Sequence, residues 1–74
     1  MYHYTGEQND KNNLVNYYLQ DMLQFIDNDI HKVTYTATED TETVTIGYDG
    51  GHEIAVDVTA DSLVALVKDV LRKI

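Results

Sequence analysis

The chain has 74 residues, of which 13 are Asp or Glu and five are Lys or Arg, so its formal net charge is −8. A surface this negative repels nucleic acid and anionic membranes, which argues against direct binding to either. The chain has no Cys, which excludes disulfides and thiolate metal sites, and its 43% apolar content is typical of a globular protein. We expect one cytoplasmic domain over residues 1–74.

The first half of the chain predicts one helix. Residues 1–9 show no helical period, and we expect a flexible arm or a short edge strand there. From Leu14 apolar residues recur three or four positions apart, with an N-terminal cap expected within 10–13 and the helix end at 27–29. The predicted core face consists of Val15, Tyr18, Leu19, Met22, Leu23, Ile26 and Ile30.

Three runs of alternating apolar and polar residues follow and predict strands with one apolar face each. Their apolar positions are Val33, Tyr35 and Ala37, then Val44, Ile46 and Tyr48, then Ile54, Val56 and Val58. Opposed residues of an antiparallel pair share a face. We therefore expect Ile46 opposite Ile54 across the loop 49–51, and Tyr35 opposite Ile46 across the loop 39–42.

The last segment predicts a second amphipathic helix, capped by Thr59 or Asp61. Its apolar positions are Leu63, Leu66, Val67, Val70, Leu71 and Ile74. The expected fold is α+β in the order α-β-β-β-α, a three-stranded antiparallel meander with both helices packed on one face. The other face of the sheet, rich in Thr, is expected to be open.

The sequence contains no recognisable catalytic, metal or cofactor pattern. Its one Ser, Ser62, stands at a helix start where capping explains it, and Gly50-Gly51 lacks the pattern of a phosphate-binding loop. His31 and His52 do not have the short fixed spacing of metal ligands. We therefore expect a protein that is not an enzyme and that holds no metal or cofactor.

Acidic residues form the first candidate binding surface, because the two loops of a meander lie at opposite ends of the sheet. One end would carry Asp27, Asp29, Asp49 and Glu53, and the other Glu39, Asp40, Glu42, Asp57 and Asp61. Strands of about seven residues separate these ends by roughly 20–25 Å. The clusters are either solvated loops or an imitation of duplex phosphates, for which the partner is a basic nucleic-acid-binding protein such as a nuclease.

An apolar strip forms the second candidate surface. Leu14, Tyr17 and Phe25 lie outside the predicted core face, and such a strip is typical of an interface. Alternatively, Leu14 and Phe25 pack under Tyr2 and Tyr4. A homodimer can form through this strip, through the Thr-rich face or through an exposed sheet edge.

The segment 33–57 and the helix from Asp61 resemble the small acidic phage-encoded inhibitors of type II CRISPR nucleases. The resemblance covers residues 14–74 and consists of size, charge, element order, the Thr-rich hairpin 38–43 and the turn 48–51. It implies a phage protein that acts in the host cytoplasm as a DNA mimic, blocking the nuclease near the protospacer-adjacent motif. The resemblance does not identify any residue of this chain that would bind the nuclease. The alternative is a homodimeric accessory or structural protein of a phage or mobile element.

Overall fold

The computed structural model describes residues 2–74 and has the expected element order, α-β-β-β-α. The N-terminal helix is continuous and consists of α1 (Gly6–Leu14), a π-helical segment (Val15–Leu19) and α2 (Gln20–Ile26). The later elements are β1 (Ile30–Ala37), β2 (Glu42–Tyr48), β3 (Glu53–Asp57) and α3 (Leu63–Lys73). None of the described helices has the length and apolar character needed to cross a membrane.

The strands form one antiparallel sheet in the order β1-β2-β3, and the helices contact it, which confirms the α+β prediction. The N-terminal helix packs on β1, whereas α3 packs on β3 and contacts α1. One core lies between the layers, and its fully buried members include Leu19, Val44, Ile46, Leu66 and Val70. The Thr side chains of the opposite face remain exposed or half-buried, as expected for a solvated antiparallel sheet.

The prediction of an arm or an edge strand over residues 1–9 was wrong for residues 6–9, which are helical. The helix begins at Gly6 rather than beyond Asp10, and residues 2–5 form no strand. Thr5 caps the helix: its hydroxyl accepts the Gln8 N–H at 3.1 Å, while Gln8 Oε1 accepts the Thr5 N–H at 3.0 Å. This reciprocal capping box starts the helix without any apolar periodicity. Met1 lies outside the described residues.

The register of the second hairpin agrees with the prediction, and that of the first differs from it. Ile46 pairs with Ile54 across the loop 49–51, where Gly51 has a φ of 91°. In the first hairpin, however, Tyr35 pairs with Val44, and the loop is 38–41. A shift of two residues keeps every side chain on its face, so face matching cannot distinguish the two registers.

The core face of the N-terminal helix is narrower than predicted. Val15, Leu19 and Leu23 are fully buried, whereas Tyr18, Met22 and Ile26 are exposed. The wider turn of the π-helical segment keeps residues four apart aligned, so the buried row continues straight through Val15 and Leu19. The neighbouring apolar row, Tyr18, Met22 and Ile26, remains in contact with solvent.

The cap of α3 also differs from the prediction. Ser62, rather than Thr59 or Asp61, is the N-cap, and its hydroxyl accepts the Ala65 N–H at 3.1 Å. Thr59 instead binds Asp57 and β2, and Ala60 adopts a left-handed backbone with a φ of 62°. The chain therefore makes a tight turn between β3 and α3 before the helix begins.

Candidate functional site

The first acidic end of the sheet forms as predicted. The Asp49 N–H donates to the Asp29 carbonyl at 2.8 Å, which places the turn 49–51 beside the end of the N-terminal helix. Asp27 accepts the Asp29 N–H at 3.0 Å. His31 Nδ1 lies 3.7 Å from Asp49 Oδ1, and both side chains are exposed. Asp27, Asp29 and Asp49 thus converge at one end of the molecule.

At the other end, Glu39 and Asp40 are exposed in the first hairpin loop. The loop is held by Thr38, whose Oγ1 accepts the Asp40 N–H at 3.3 Å and the Thr41 N–H at 3.1 Å. These bonds within the loop leave both carboxylates free to meet a partner.

Asp57 lies at the end of β3 and is exposed. Its Oδ1 accepts hydrogen bonds from the Thr59 hydroxyl at 2.6 Å and from the Thr59 N–H at 3.0 Å. These bonds favour the carboxylate form and hold the pKa of Asp57 below its usual value. Asp57 therefore carries a fixed negative charge at neutral pH.

Glu42 is not a surface acid, which corrects its assignment to the binding surface. It is the first residue of β2 and lies on the apolar face in phase with Val44 and Ile46, so that only 7% of it is exposed. Its Oε1 accepts bonds from Lys11 Nζ at 2.7 Å and from the Tyr35 hydroxyl at 2.6 Å. Lys11 is 2% exposed. A buried carboxylate with these partners holds the fold together and is not available to a ligand.

Hydrogen bonds complete this buried network. The Ala60 N–H donates to Glu42 Oε2 at 3.0 Å, and Thr59 Oγ1 accepts the Glu42 N–H at 2.9 Å. Burial alone would raise the pKa of Glu42, but the bonds from Lys11, Tyr35 and Ala60 outweigh it and leave that pKa lowered. Burial and the bond to Glu42 raise the pKa of Tyr35 strongly.

Asp61 lies at the same end as Asp57 but is half-buried, with one oxygen, Oδ2, that is buried and accepts no bond from a described donor. A hydrogen bond with Asp69 raises the pKa of Asp61, and burial and the charge of Asp69 add to the effect. Two carboxylates can share a hydrogen bond only when one of them is protonated. Asp61 is therefore a weaker contributor of surface charge than Asp57.

The remaining surface charge is strongly one-sided. Of the twelve acids and two bases in residues 1–61, Glu42 and Lys11 are buried, which leaves eleven carboxylates and one basic side chain, Lys32. The other basic side chains, Lys68, Arg72 and Lys73, all lie on α3. Three of the eleven carboxylates, Glu7, Asp10 and Asp21, lie on the N-terminal helix, and the other eight lie at the two ends of the sheet. The acidic surface therefore consists of these ends, and α3 carries a separate group of basic side chains.

The apolar strip is exposed. Phe25 is 91% exposed and Tyr17 is 68% exposed, whereas Leu14 is half-buried. The alternative, in which the N-terminal tyrosines cover Leu14 and Phe25, is wrong for Phe25, which they leave exposed. Tyr4 packs edge-on against Tyr35 with ring centroids 5.6 Å apart, and the Tyr2 hydroxyl donates to Gln8 at 2.8 Å. Tyr17 and Phe25 thus present bare aromatic rings to solvent.

Among the described residues no three His, Asp or Glu side chains are placed to hold a metal ion. A comparison with protein-family models, with curated proteins and with solved structures finds no match to this chain. The candidate site is therefore defined by its own geometry, as an acidic surface on the sheet and an aromatic, apolar surface on the helices.

Sequence reasoning missed Lys11 and misplaced Glu42, although both leave a signal. Lys11 stands four residues before Val15, in the same row as Leu19 and Leu23. Glu42 falls in the alternating phase of Val44 and Ile46. A charged residue in an apolar row of one element and an opposite charge in an apolar row of another indicate a buried pair.

Proposed function

We propose that the protein acts by binding, as an inhibitor that covers the basic nucleic-acid site of another protein with its acidic sheet surface. The supporting observation is the charge that remains outside α3, eleven carboxylates against Lys32 alone. Self-repulsion of this size gives no stability to the fold, so a role in recognition accounts for it better.

The spacing of the acidic ends suits a nucleic-acid site. β2 has seven residues and joins the two ends. At ~3.3 Å per residue the ends lie roughly 20 Å apart, a length over which one strand of a DNA duplex carries about six phosphates. A channel lined with Lys and Arg for a phosphate backbone can therefore meet carboxylates at both ends of the sheet.

The loop 38–41 is the part of the acidic surface that can enter such a channel most easily. Glu39 and Asp40 are exposed at its tip, and Asp57 lies at the same end of the sheet. Charge-assisted bonds from Lys or Arg to these carboxylates would replace bonds to phosphate. The resemblance to phage inhibitors adds a specific target, a type II CRISPR nuclease whose DNA-binding surface is blocked before the duplex arrives.

The first test compares two double variants with identical chemical changes. Glu39→Gln with Asp40→Asn removes two charges from the acidic loop, and Glu7→Gln with Asp10→Asn removes two exposed charges from α1. The measurement is displacement of a labelled DNA duplex from a guide-loaded type II CRISPR nuclease, followed by fluorescence anisotropy. We expect the loop variant to need at least about tenfold more protein and the α1 variant less than about threefold more.

Equal weakening by the two variants would mean that net charge alone matters, and the proposed site would be wrong. If the wild-type protein does not displace DNA from the nuclease, the type II CRISPR nuclease is excluded as the target. The broader proposal is tested by immobilising the protein, passing a bacterial lysate over it and eluting with a short DNA duplex. Nucleic-acid-binding proteins released by the duplex support occlusion, and retention unaffected by the duplex contradicts it.

A further inference from the structure

The exposed large apolar side chains of the described chain all lie on the helices. On the N-terminal helix they are Tyr17, Tyr18, Met22, Phe25 and Ile26, and on α3 and its C-cap they are Leu63, Val64, Leu71 and Ile74. Exposed apolar residues scattered singly need no explanation, but a set confined to one layer of a small domain marks an interaction surface.

Two features of this layer are complementary in shape. Leu14, Leu63, Val64 and Val67 line an apolar groove where α1 meets α3, with Lys68 at its side. Phe25, the most exposed of the large apolar side chains, projects from the other end of the N-terminal helix. The molecule therefore carries both an apolar projection and an apolar groove on its helical layer.

The distance between these features permits a symmetric contact. Phe25 follows Leu14 by eleven residues, about 16 Å along a helix at ~1.5 Å per residue. The π-helical segment has more residues per turn than an α-helix, so residues four apart stay aligned, and Phe25 lies in the row of Tyr17 and Asp21, next to the row of Leu14. A two-fold axis crossing the helix near Tyr18 and Met22 would bring each Phe25 to the groove of the other copy.

The charges beside these features are complementary in the same arrangement. Asp21 lies one helical turn before Phe25 and on the same side, so it would accompany Phe25 to the groove. Lys68 lines that groove. Neither Asp21 nor Lys68 has an ion-pair partner among residues 2–74. Contact between copies would supply each with the opposite charge, twice per dimer.

The available area is sufficient for such a contact. The molecule measures 32 × 23 × 19 Å, and the N-terminal helix, with segments of 9, 5 and 7 residues, runs along the longest dimension at ~1.5 Å per residue. The helical layer thus offers roughly 600–700 Å², against the ~800 Å² that each partner buries in a typical stable interface. A larger partner is not needed to cover it.

We infer that the protein forms a two-fold homodimer in which Phe25 of each copy fills the groove between α1 and α3 of the other, beside an Asp21–Lys68 ion pair. The open sheet face lies on the side of the sheet away from the helices and stays outside this interface. The inference is independent of the proposed inhibitory function, since it uses the helical layer and not the sheet.

Sedimentation equilibrium of the full chain tests the inference. We expect the mass of two chains at micromolar concentration and at least a tenfold higher dimer dissociation constant for Phe25→Ala. Thr36→Ala, a truncation on the open sheet face, should leave the dissociation constant unchanged. Because Phe25 is exposed in the single chain, its truncation should not unfold the protein, and circular dichroism checks this.

A charge exchange identifies the interface itself. Lys68→Glu and Asp21→Lys should each weaken the dimer, and the double variant should restore it, while Lys32→Glu on β1 should have no effect. A single-chain mass at all concentrations up to about 1 mM overturns the inference. So does a dimer insensitive to Phe25→Ala and Lys68→Glu, since it would form through the sheet edge or the Thr-rich face.

Discussion

The Lys11–Glu42 pair is the most constrained feature at the residue scale. It joins α1 to the start of β2, and through Ala60 and Thr59 it also holds the turn that leads to α3. Burying two charges is costly, and only several good hydrogen bonds offset that cost. The pair therefore contributes less to net stability than to the choice of one arrangement of these three segments.

Glu42→Gln should destabilise the protein by about 3–5 kcal/mol, because it leaves the buried Lys11 ammonium with only the exposed Glu7 carboxylate, 4.0 Å away, as a counter-charge. The free energy of unfolding, obtained from urea denaturation at neutral pH, measures the effect. The matched change Glu39→Gln, at an exposed position in the adjacent loop, should stay within about 0.5 kcal/mol.

A double variant distinguishes the effect of the unpaired buried charge on stability from the effect of lost packing. Lys11→Met combined with Glu42→Gln removes both charges, and the amide oxygen can still accept the Ala60 N–H while the amide NH2 donates to the Tyr35 hydroxyl oxygen. We expect it to recover most of the loss. If the double variant were as unstable as Glu42→Gln alone, the ammonium would not be the cause.

At the scale of elements, the start of the N-terminal helix depends on one local motif. Thr5→Ala removes the hydroxyl that accepts the Gln8 N–H, and should cost about 0.5–2 kcal/mol in the free energy of unfolding. Amide hydrogen exchange in residues 6–10 should accelerate with it. Thr36→Ala, an exposed Thr in a strand, is the control. Unchanged protection of residues 6–10 would mean that Lys11 alone fixes the first turns.

The connection between β3 and α3 gives the protein a pH dependence. Asp61 has a higher pKa in the folded chain than its unfolded value of about 3.9, so the folded state binds the proton more tightly. Stability should therefore fall as the pH rises from about 4 through the raised folded pKa. Asp69→Asn should reduce this fall and raise stability at neutral pH, because an amide can donate to the ionised Asp61, while burial of Asp61 remains.

Urea denaturation between about pH 4 and pH 7 measures this effect. Asp57→Asn provides a contrast of opposite sign, since the lowered pKa of Asp57 stabilises the fold above the unfolded pKa and that contribution is lost on acidification. Parallel pH profiles for wild type and Asp69→Asn would contradict the assignment of the raised pKa to this pair.

On the scale of the whole molecule, the net charge of −8 acts against the fold. Salt screens repulsion between exposed carboxylates, so raising NaCl from about 0.01 M to about 0.15 M should increase the Tm by about 2–5 °C. Thermal unfolding followed by circular dichroism measures it. The Glu39→Gln, Asp40→Asn variant should start at a higher Tm and gain less from salt. A Tm that falls with salt would mean that attractive pairs dominate.

Much of the architecture was predictable because it depends on local patterns. The alternation in 43–48 and 53–58 assigns each side chain to a face, and Gly51 provides the left-handed residue that a three-residue loop requires, so the second hairpin was predicted with its register. The acidic ends followed from the meander topology in the same way. Glu39, Asp40 and Asp57 lie at one end, and Asp29 and Asp49 at the other.

The tertiary structure alone decided what depends on contacts between distant segments. Two registers of the first hairpin place the same side chains on the same faces. In the register that the structure has, the Thr38 hydroxyl accepts hydrogen bonds within the loop. Lys11 and Glu42 are 31 residues apart, and their burial requires α1 to lie over the start of β2. Only one row of the N-terminal helix is buried in the core, so Tyr18 and Met22 face solvent while Val15 and Leu19 lie in the core. Periodicity shows which residues can be buried, and only the width and placement of the opposing layer determine which of them are.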